Sequence, residues 1–468
     1  MSEHRLSRRE FLKFAGVGMA GAALAACAPA APAAPAAEGG APAPEAKPAA
    51  AGVTLQYYVG FGAGGNPEQI SAVKELFAKF VSASGGAVTA VEPLVVPWAE
   101  APRKFQTMVA GGTPPDVITM GMSQWDFAAK GAFVDINPLA EKDGINLKDE
   151  WDQSAIAAYT VIPKNNMLYG LPFGLNDLCL VYNKTLFEKL GVAAPPKDWK
   201  DESWTWDAFI ETAQKLSTGE GMERTWGVLG IGANWNLPWC YGGAWVDEAL
   251  EKIIIDQEPS MKGFQLNYDL MHKHKVMPTQ AESQALANGF LSGQVGMTAT
   301  GSWDAGTWMQ IEEFEWDLVP IPWAPGTDIT KRASPYYPDA LVISSKNAVE
   351  QSWALVKFMI LDDDNYKTFL RIMTMIPARK ALRSWFVDEF WKQEKPDINW
   401  DGYMDGFNYA QVQRLFFNIN WSEVNNTQDA ELGPLWLGET TVEELIPQLA
   451  KKLQEIWTRG IEQLKPQG

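Results

Sequence analysis

The chain has 468 residues, and its 57 Asp and Glu against 39 Lys and Arg give a formal charge of −18, which excludes the clustered basic face that nucleic-acid phosphates require. Three cysteines in this length exclude a disulfide-stapled scaffold, and three histidines without a neighbouring ligand set leave no recognisable metal site. The length beyond the first 52 residues exceeds what one hydrophobic core organises, so two lobes are expected.

The chain opens with Ser7-Arg8-Arg9-Glu10-Phe11-Leu12-Lys13, two adjacent arginines before an apolar run, the charged front of a twin-arginine export signal. The run from Phe14 to Ala26 falls short of the roughly 20 residues that a bilayer span needs and reads as a signal core. Leu24-Ala25-Ala26-Cys27 resembles a bacterial lipobox, so residues 1–27 are assigned as a twin-arginine and lipoprotein signal with lipid on Cys27. Residues 28–52 are Ala and Pro with almost nothing to bury, an extended linker that tethers the remainder.

Val53 to Gly60 is β-branched and aromatic and predicts a strand, followed by the glycine-rich "FGAGGN" as a ligand-facing turn or a plain loop. Asn66 and Pro67 open a helix in which Ile70, Val73, Phe77 and Phe80 recur on one face. A short buried strand is expected over Asp116 to Gly121, and "FVDINPLA" from Phe133 closes the helix after it. Leu178 to Tyr182 predicts a strand that runs into a helix ending at Gly191. Thr205 caps an amphipathic helix with Trp206, Phe209, Ile210, Ala213 and Leu216 on one face, and Thr441 to Glu444 is a capping box for a long helix through Ile461. Strands alternating with helices predict an α/β fold. Cys179 and Cys240 are read as buried free thiols, with one disulfide as the alternative, and His272 and His274 as a solvated face near a helix end.

"GGTPPDVI", "YGLPFGLNDLCLVYNKTLFEKLG", "PPKDWKDESWTWDAFIETAQKLS", "FLSGQVGMTATGSW", "LVPIPWAPG", "ALVISSKNAVEQSWALVKFMI" and "MIPARKAL", in this order, resemble the extracellular solute-binding proteins of bacterial ABC importers, in the sugar-binding group that includes maltose-binding protein. The resemblance implies a two-lobed periplasmic-binding-protein-like fold of type II, with three interlobe crossings and a cleft between the lobes. Carried onto this chain, the crossings fall near 173–176, 338–341 and 373–379. Lobe 1 is then 53–174 with 341–375, and lobe 2 is 175–340 with 376–468.

A sugar offers alternating hydroxyls and C–H faces, so its site needs flat aromatic platforms and directional polar groups. The chain holds 21 tryptophans, and those in predicted loops have less core to fill. The resemblance places Trp303 where relatives stack a ring, and Trp421 in a similar slot near the chain's end. Trp235 and Trp239 lie in a loop before two glycines, and Ser123, Gln124 and Trp125 lie at the carboxyl edge of a strand, where open α/β sheets bind ligands. Trp206, Trp353 and Trp457 occupy apolar helical faces and are assigned to the core. Asn176 and Asp177 beside the first crossing and Arg379 beside the third offer bidentate partners to hydroxyls, with a structural ion pair as the alternative for Arg379. Asp304, Asn234, Tyr336 and Tyr337 complete the candidates; the tyrosine pair departs from the small residues that relatives often place there.

The reading that follows is a lipid-anchored, monomeric receptor on the outer face of the membrane, without cofactor or metal and without chemistry of its own. It captures a carbohydrate by lobe closure and passes it to the membrane subunits of an ABC permease. Alternatives are the same fold with a polyol, a glycerol phosphodiester or a peptide; an exported carbohydrate-active enzyme, which needs two carboxylates about 5 to 10 Å apart; and a ligand-free sensory partner of a membrane kinase.

Overall fold

A computed structural model describes residues 52–59, 67–97, 100–121, 124–286, 289–328, 334–344 and 348–465. The signal with Cys27, the linker up to residue 51, the glycine-rich 60–66 stretch and Ser123 lie outside these residues.

The opening strand β1 (Val53–Val59) buries Leu55, Tyr57, Tyr58 and Val59, because it is covered on both faces. It lies between β2 (Val88–Val95) and β3 (Val117–Gly121), parallel to both. The Pro67–Ala83 helix packs onto β2 with Val73, Leu76, Phe77 and Phe80 buried, a 3.6-residue stripe that began with proline at its first turn. A short hairpin of β4 (Thr160–Val161) and β5 (Met167–Leu168) precedes β6 (Gly170–Asn176), every residue of which is buried.

Among the described residues two larger sheets carry the fold, each in its own lobe. The first runs β12-β6-β11-β3-β1-β2, where β11 is Ser334–Ile343 and β12 is Ile376–Pro377, and β11 lies antiparallel to both β3 and β6. The second runs β10-β7-β9-β8, with β7 Cys179–Asn183, β8 Trp226–Val228, β9 Val295–Thr300 and β10 Trp316–Val319. A last strand, β13 (Ala410–Val412), lies parallel to Ser334–Tyr336 at the start of β11.

Between the two larger sheets the chain changes sheets twice, and after β12 it leaves the first sheet a third time for helices that pack on the second. Only Asp177 and Leu178 separate β6 from β7, so the first passage is direct. The second lies between β10 and Ser334, because β11 belongs to the first sheet along its whole length; the expected passage at 338–341 is therefore mid-strand. The third follows β12, after which the Trp400–Gly406 helix packs on β10 with Trp400 and Trp316 edge to face at 6.0 Å. Likewise β6 extends to Asn176, two residues beyond the expected end of lobe 1.

Local signals are met closely. The Lys184–Leu190 helix ends on Gly191 at φ 65°, and Thr205 Oγ1 accepts from Ala208 N to open the Trp206–Leu216 helix. Thr441 Oγ1 accepts from Glu444 N at 3.3 Å, but the Glu444 carboxylate takes the Thr440 hydroxyl, so the box is half closed. A complete capping box stands instead at Thr279 and Glu282. Trp206, Trp353 and Trp457 are buried, each indole donating to an acceptor: Cys240 O, Asp143 Oδ2 and Leu250 O. Cys179 and Cys240 are both free thiols, pushed up by burial, Cys240 to about 12. His272 faces the Trp436 carbonyl and His274 the Gln214 amide, so both are half-buried and engaged rather than solvated. Among the described residues no helix is long and apolar enough to cross a membrane, and no three His, Cys, Asp or Glu are placed to hold a metal.

Candidate functional site

The turn after β9, Gly301-Ser302-Trp303-Asp304, starts the site. A Cβ on Gly301 would collide with the Trp303 ring and the Asp177 carbonyl, so the indole lies over bare backbone that only glycine supplies. Trp303 meets Tyr337 edge to face at 5.8 Å, and Trp235 Nε1 donates to the Tyr337 hydroxyl at 2.9 Å. Trp303, Tyr337 and Trp235 are all half-buried and stand together as a wall of rings. Behind Trp235, Phe416 stands edge to face at 6.1 Å, and Trp421 packs on Phe416 at 4.8 Å as a buried backing ring.

The polar floor comes from the passage between β6 and β7. Asn176 is buried, donates to the Tyr337 carbonyl and to Asp339 Oδ2 at 3.2 Å each, and accepts from the Ser302 hydroxyl. Burial pushes Asp339 up to about 8, with Asn176 offsetting part of the cost. Neither carboxyl oxygen of buried Asp177 has a hydrogen-bond partner. Desolvation drives that group far above the usual carboxylate range, and the Tyr403 hydroxyl offsets only part of it. Asp304 accepts from Thr300 Oγ1 at 2.5 Å and is raised by burial.

A second contact lies near Phe416 and Trp421. The short Trp125–Ala129 helix after β3 brings Trp125, buried, to 6.2 Å from Phe417, while Ser422 Oγ donates to Asp126 Oδ2 at 2.6 Å. Asp126 is buried and raised by desolvation, with Ser422 and Lys130 lowering it. Gln124 is buried at the same edge.

Other candidates go elsewhere. Tyr336 points to the opposite face of β11 from Tyr337 and donates to Asp152 Oδ1 at 2.8 Å, whose other oxygen takes Arg383 at 2.8 Å. Arg379 caps the Val349–Ile360 helix, donating to the carbonyls of Ile360 and Leu361 and to Asp363 Oδ1 at 2.8 Å. Its guanidinium is an ion pair at a helix end, the alternative reading of that residue. Trp239 lines a cavity of about 30 Å³ with Trp206, Trp323 and Leu178, room for about one water. Asn234 donates to Asp429 at 3.4 Å on the rim. Sequence reasoning missed Asn236, Gln413, Phe416, Phe417, Asp126 and Ser422. Alternation along a strand was the available signal for Tyr336, and none marked Gln413.

A family model of bacterial extracellular solute-binding proteins matches residues 63–366. The chain belongs to that family. This solute-binding protein is 20% identical over 352 residues to the maltotriose-binding protein of Pyrococcus abyssi, covering 73% of this chain and 68% of that one. Its fold is similar to that of an ABC substrate-binding protein from Listeria monocytogenes in complex with cycloalternan, with TM-score 0.74, 20% identity, and coverage of 88% and 99% of the two chains. It is also similar to UgpB of Mycobacterium tuberculosis in complex with glycerophosphocholine, with TM-score 0.71, 18% identity, and coverage of 87% and 99%. Two-lobed solute-binding architecture is common to them.

Proposed function

We propose that this solute-binding protein is a lipid-anchored carbohydrate receptor that closes on a mono- or oligosaccharide and delivers it to an ABC importer. The carrying observation is the wall of Trp303, Tyr337 and Trp235, in which Trp235 donates to the Tyr337 hydroxyl and Trp303 packs edge to face on Tyr337, a set of half-buried rings suited to a sugar's C–H face. Hydroxyl partners are proposed from Asp304, Asn176 and Asn234. The Pyrococcus relative, which is named for maltotriose, supports the ligand class. Sheet membership supports lobes of about 53–176 with 334–377 and about 179–319, and the packing of the Trp400–Gly406 helix on β10 and of the Val442–Leu464 helix on the Glu258–His272 helix supports adding 400–464 to the second. Contacts of Trp125 with Phe417 and of Asp126 with Ser422 support closure as the capture step.

The receptor reading asks of the protein only binding and motion. The anchor on Cys27 and the permease partner rest on the leader pattern and the family.

The test is thermal unfolding of residues 52–468 against maltotriose, monosaccharides, polyols, glycerophosphocholine and peptides. A ligand at about a thousand times its Kd adds ~4 kcal/mol, a shift of several degrees. A selective carbohydrate shift with the sugar recovered intact supports the receptor. A shift with glycerophosphocholine alone replaces the ligand, and cleaved sugar replaces the receptor with an enzyme.

A further inference from the structure

Behind the wall runs a hydrogen-bond chain whose direction is fixed. An indole N–H only donates, so the Tyr337 oxygen accepts from Trp235 and its own proton goes to Asn236 Oδ1, at 2.5 Å. That assigns the Asn236 amide, whose oxygen and nitrogen are otherwise alike in shape. The same Oδ1 accepts from Gln413 Nε2 at 2.7 Å. The order is Trp235 to Tyr337 to Asn236, with Gln413 donating from the far end.

Three separate segments meet in this chain. Asn236 and Trp235 sit in the 3₁₀ segment Asn234–Tyr241, Tyr337 on β11, and Gln413 directly after β13, whose ladder with β11 runs at the passage between lobes. Gln413 is fully buried and Asn236 nearly so. Gly232, at φ 114°, leaves room for the Asn236 amide: a Cβ there would stand 2.6 Å from Nδ2. Trp245 Nε1 donates to the Trp235 carbonyl at 2.9 Å and fixes that residue's backbone. Gln413 Oε1 has no hydrogen-bond partner, so this side chain spends its burial on its Nε2, which bonds Asn236 and also reaches the Tyr337 hydroxyl.

We propose that Gln413 is a positioning residue for ligand recognition: through Asn236 it orients the Tyr337 hydroxyl and thereby sets the Trp235 and Tyr337 rings before ligand arrives. This rests on the carbohydrate reading for its ligand, and on the hydrogen-bond chain alone for its mechanism. Without a donor at 413 the Asn236 amide is free to turn, and presenting Nδ2 to Tyr337 takes away the acceptor that holds the phenol proton and so the orientation of the hydroxyl. A preset wall spares the ordering cost of two rings at binding.

The experiment uses Gln413→Met, which keeps the length and removes the donor, and Gln413→Glu, which puts an acceptor against Asn236 Oδ1. Because Oε1 is already unpaired, Gln413→Met is expected to keep the melting temperature within about 2 °C. In the ligand-free protein, the Trp235 indole N–H resonance, assigned with Trp235→Phe, should shift and exchange with water at least about tenfold faster in both variants. Maltotriose, used as the carbohydrate probe, should bind about tenfold more weakly to both. An unmoved Trp235 resonance, or an unchanged maltotriose affinity alongside a moved resonance, overturns the proposal. If wild type binds no carbohydrate while the resonance moves, the carbohydrate reading fails and the lock on the rings stands.

Discussion

The aromatic wall and the passage between β6 and β7 touch each other and are built on opposite terms. In the wall, Trp235, Tyr337 and Asn236 satisfy one another and the rings stay half open to solvent. At the passage, Asp177 is wholly buried with neither oxygen bonded, and Asp339 leans on one amide. The wall is prepared for a partner, whereas the passage buries two carboxyls that resist ionisation. Affinity should therefore reside in the first and pH-dependent stability in the second.

Removing the wall is the largest perturbation. Trp303→Ala should weaken carbohydrate binding about 100-fold, ~2.7 kcal/mol, with little change in melting temperature; calorimetric titration checks it, and intact affinity would move the site elsewhere. Next is Asp177→Asn, which removes a buried unpaired carboxylate and should stabilise the protein by ~2 kcal/mol at pH 8. The sign follows from linkage. A carboxyl raised on folding is protonated in both states below about pH 4, so it costs nothing there, and its cost grows as pH rises towards the folded value. The gain should therefore fade as pH approaches 4 in melts across pH, and Asp339→Asn should flatten the curve between about 4 and 8, up to the value that Asp339 reaches on folding.

Arg379→Gln sharpens the contrast from outside both regions. It should cost ~1.5 kcal/mol in urea unfolding through the lost helix-end bonds and leave carbohydrate affinity unchanged. The smallest effect is Ser422→Ala. Loss of the bond to Asp126 should weaken binding about threefold, ~0.7 kcal/mol, without moving the Trp303 contacts.

Much of the architecture was readable because it is local. Pro67, Gly191, Thr205 and the 3.6-residue stripes state their helices in a few residues. The ring wall was partly readable, since loop position and residue type pointed to Trp303 and Trp235. What escaped was long-range: Gln413 meets Asn236 across 177 positions, and Ser422 meets Asp126 across 296. No spacing encodes such meetings. Arg379 could be read either way from the sequence because a guanidinium suits hydroxyls and helix carbonyls equally, and here it binds the end of the Val349–Ile360 helix. The tyrosine pair was treated as one feature, although consecutive strand residues face opposite sides.

The two thiols, Cys179 buried and Cys240 half-buried, have a practical consequence. A chain begun at Gly52 carries only Cys179 and Cys240, both held protonated at neutral pH by burial and so poor nucleophiles towards maleimide. Cysteines placed at the exposed Ile162, in the β4–β5 turn, and Leu437, after the Trp421–Trp436 helix, would take a dye pair selectively. Energy transfer between those dyes would then read each closing of the jaws as a colour change, one molecule at a time.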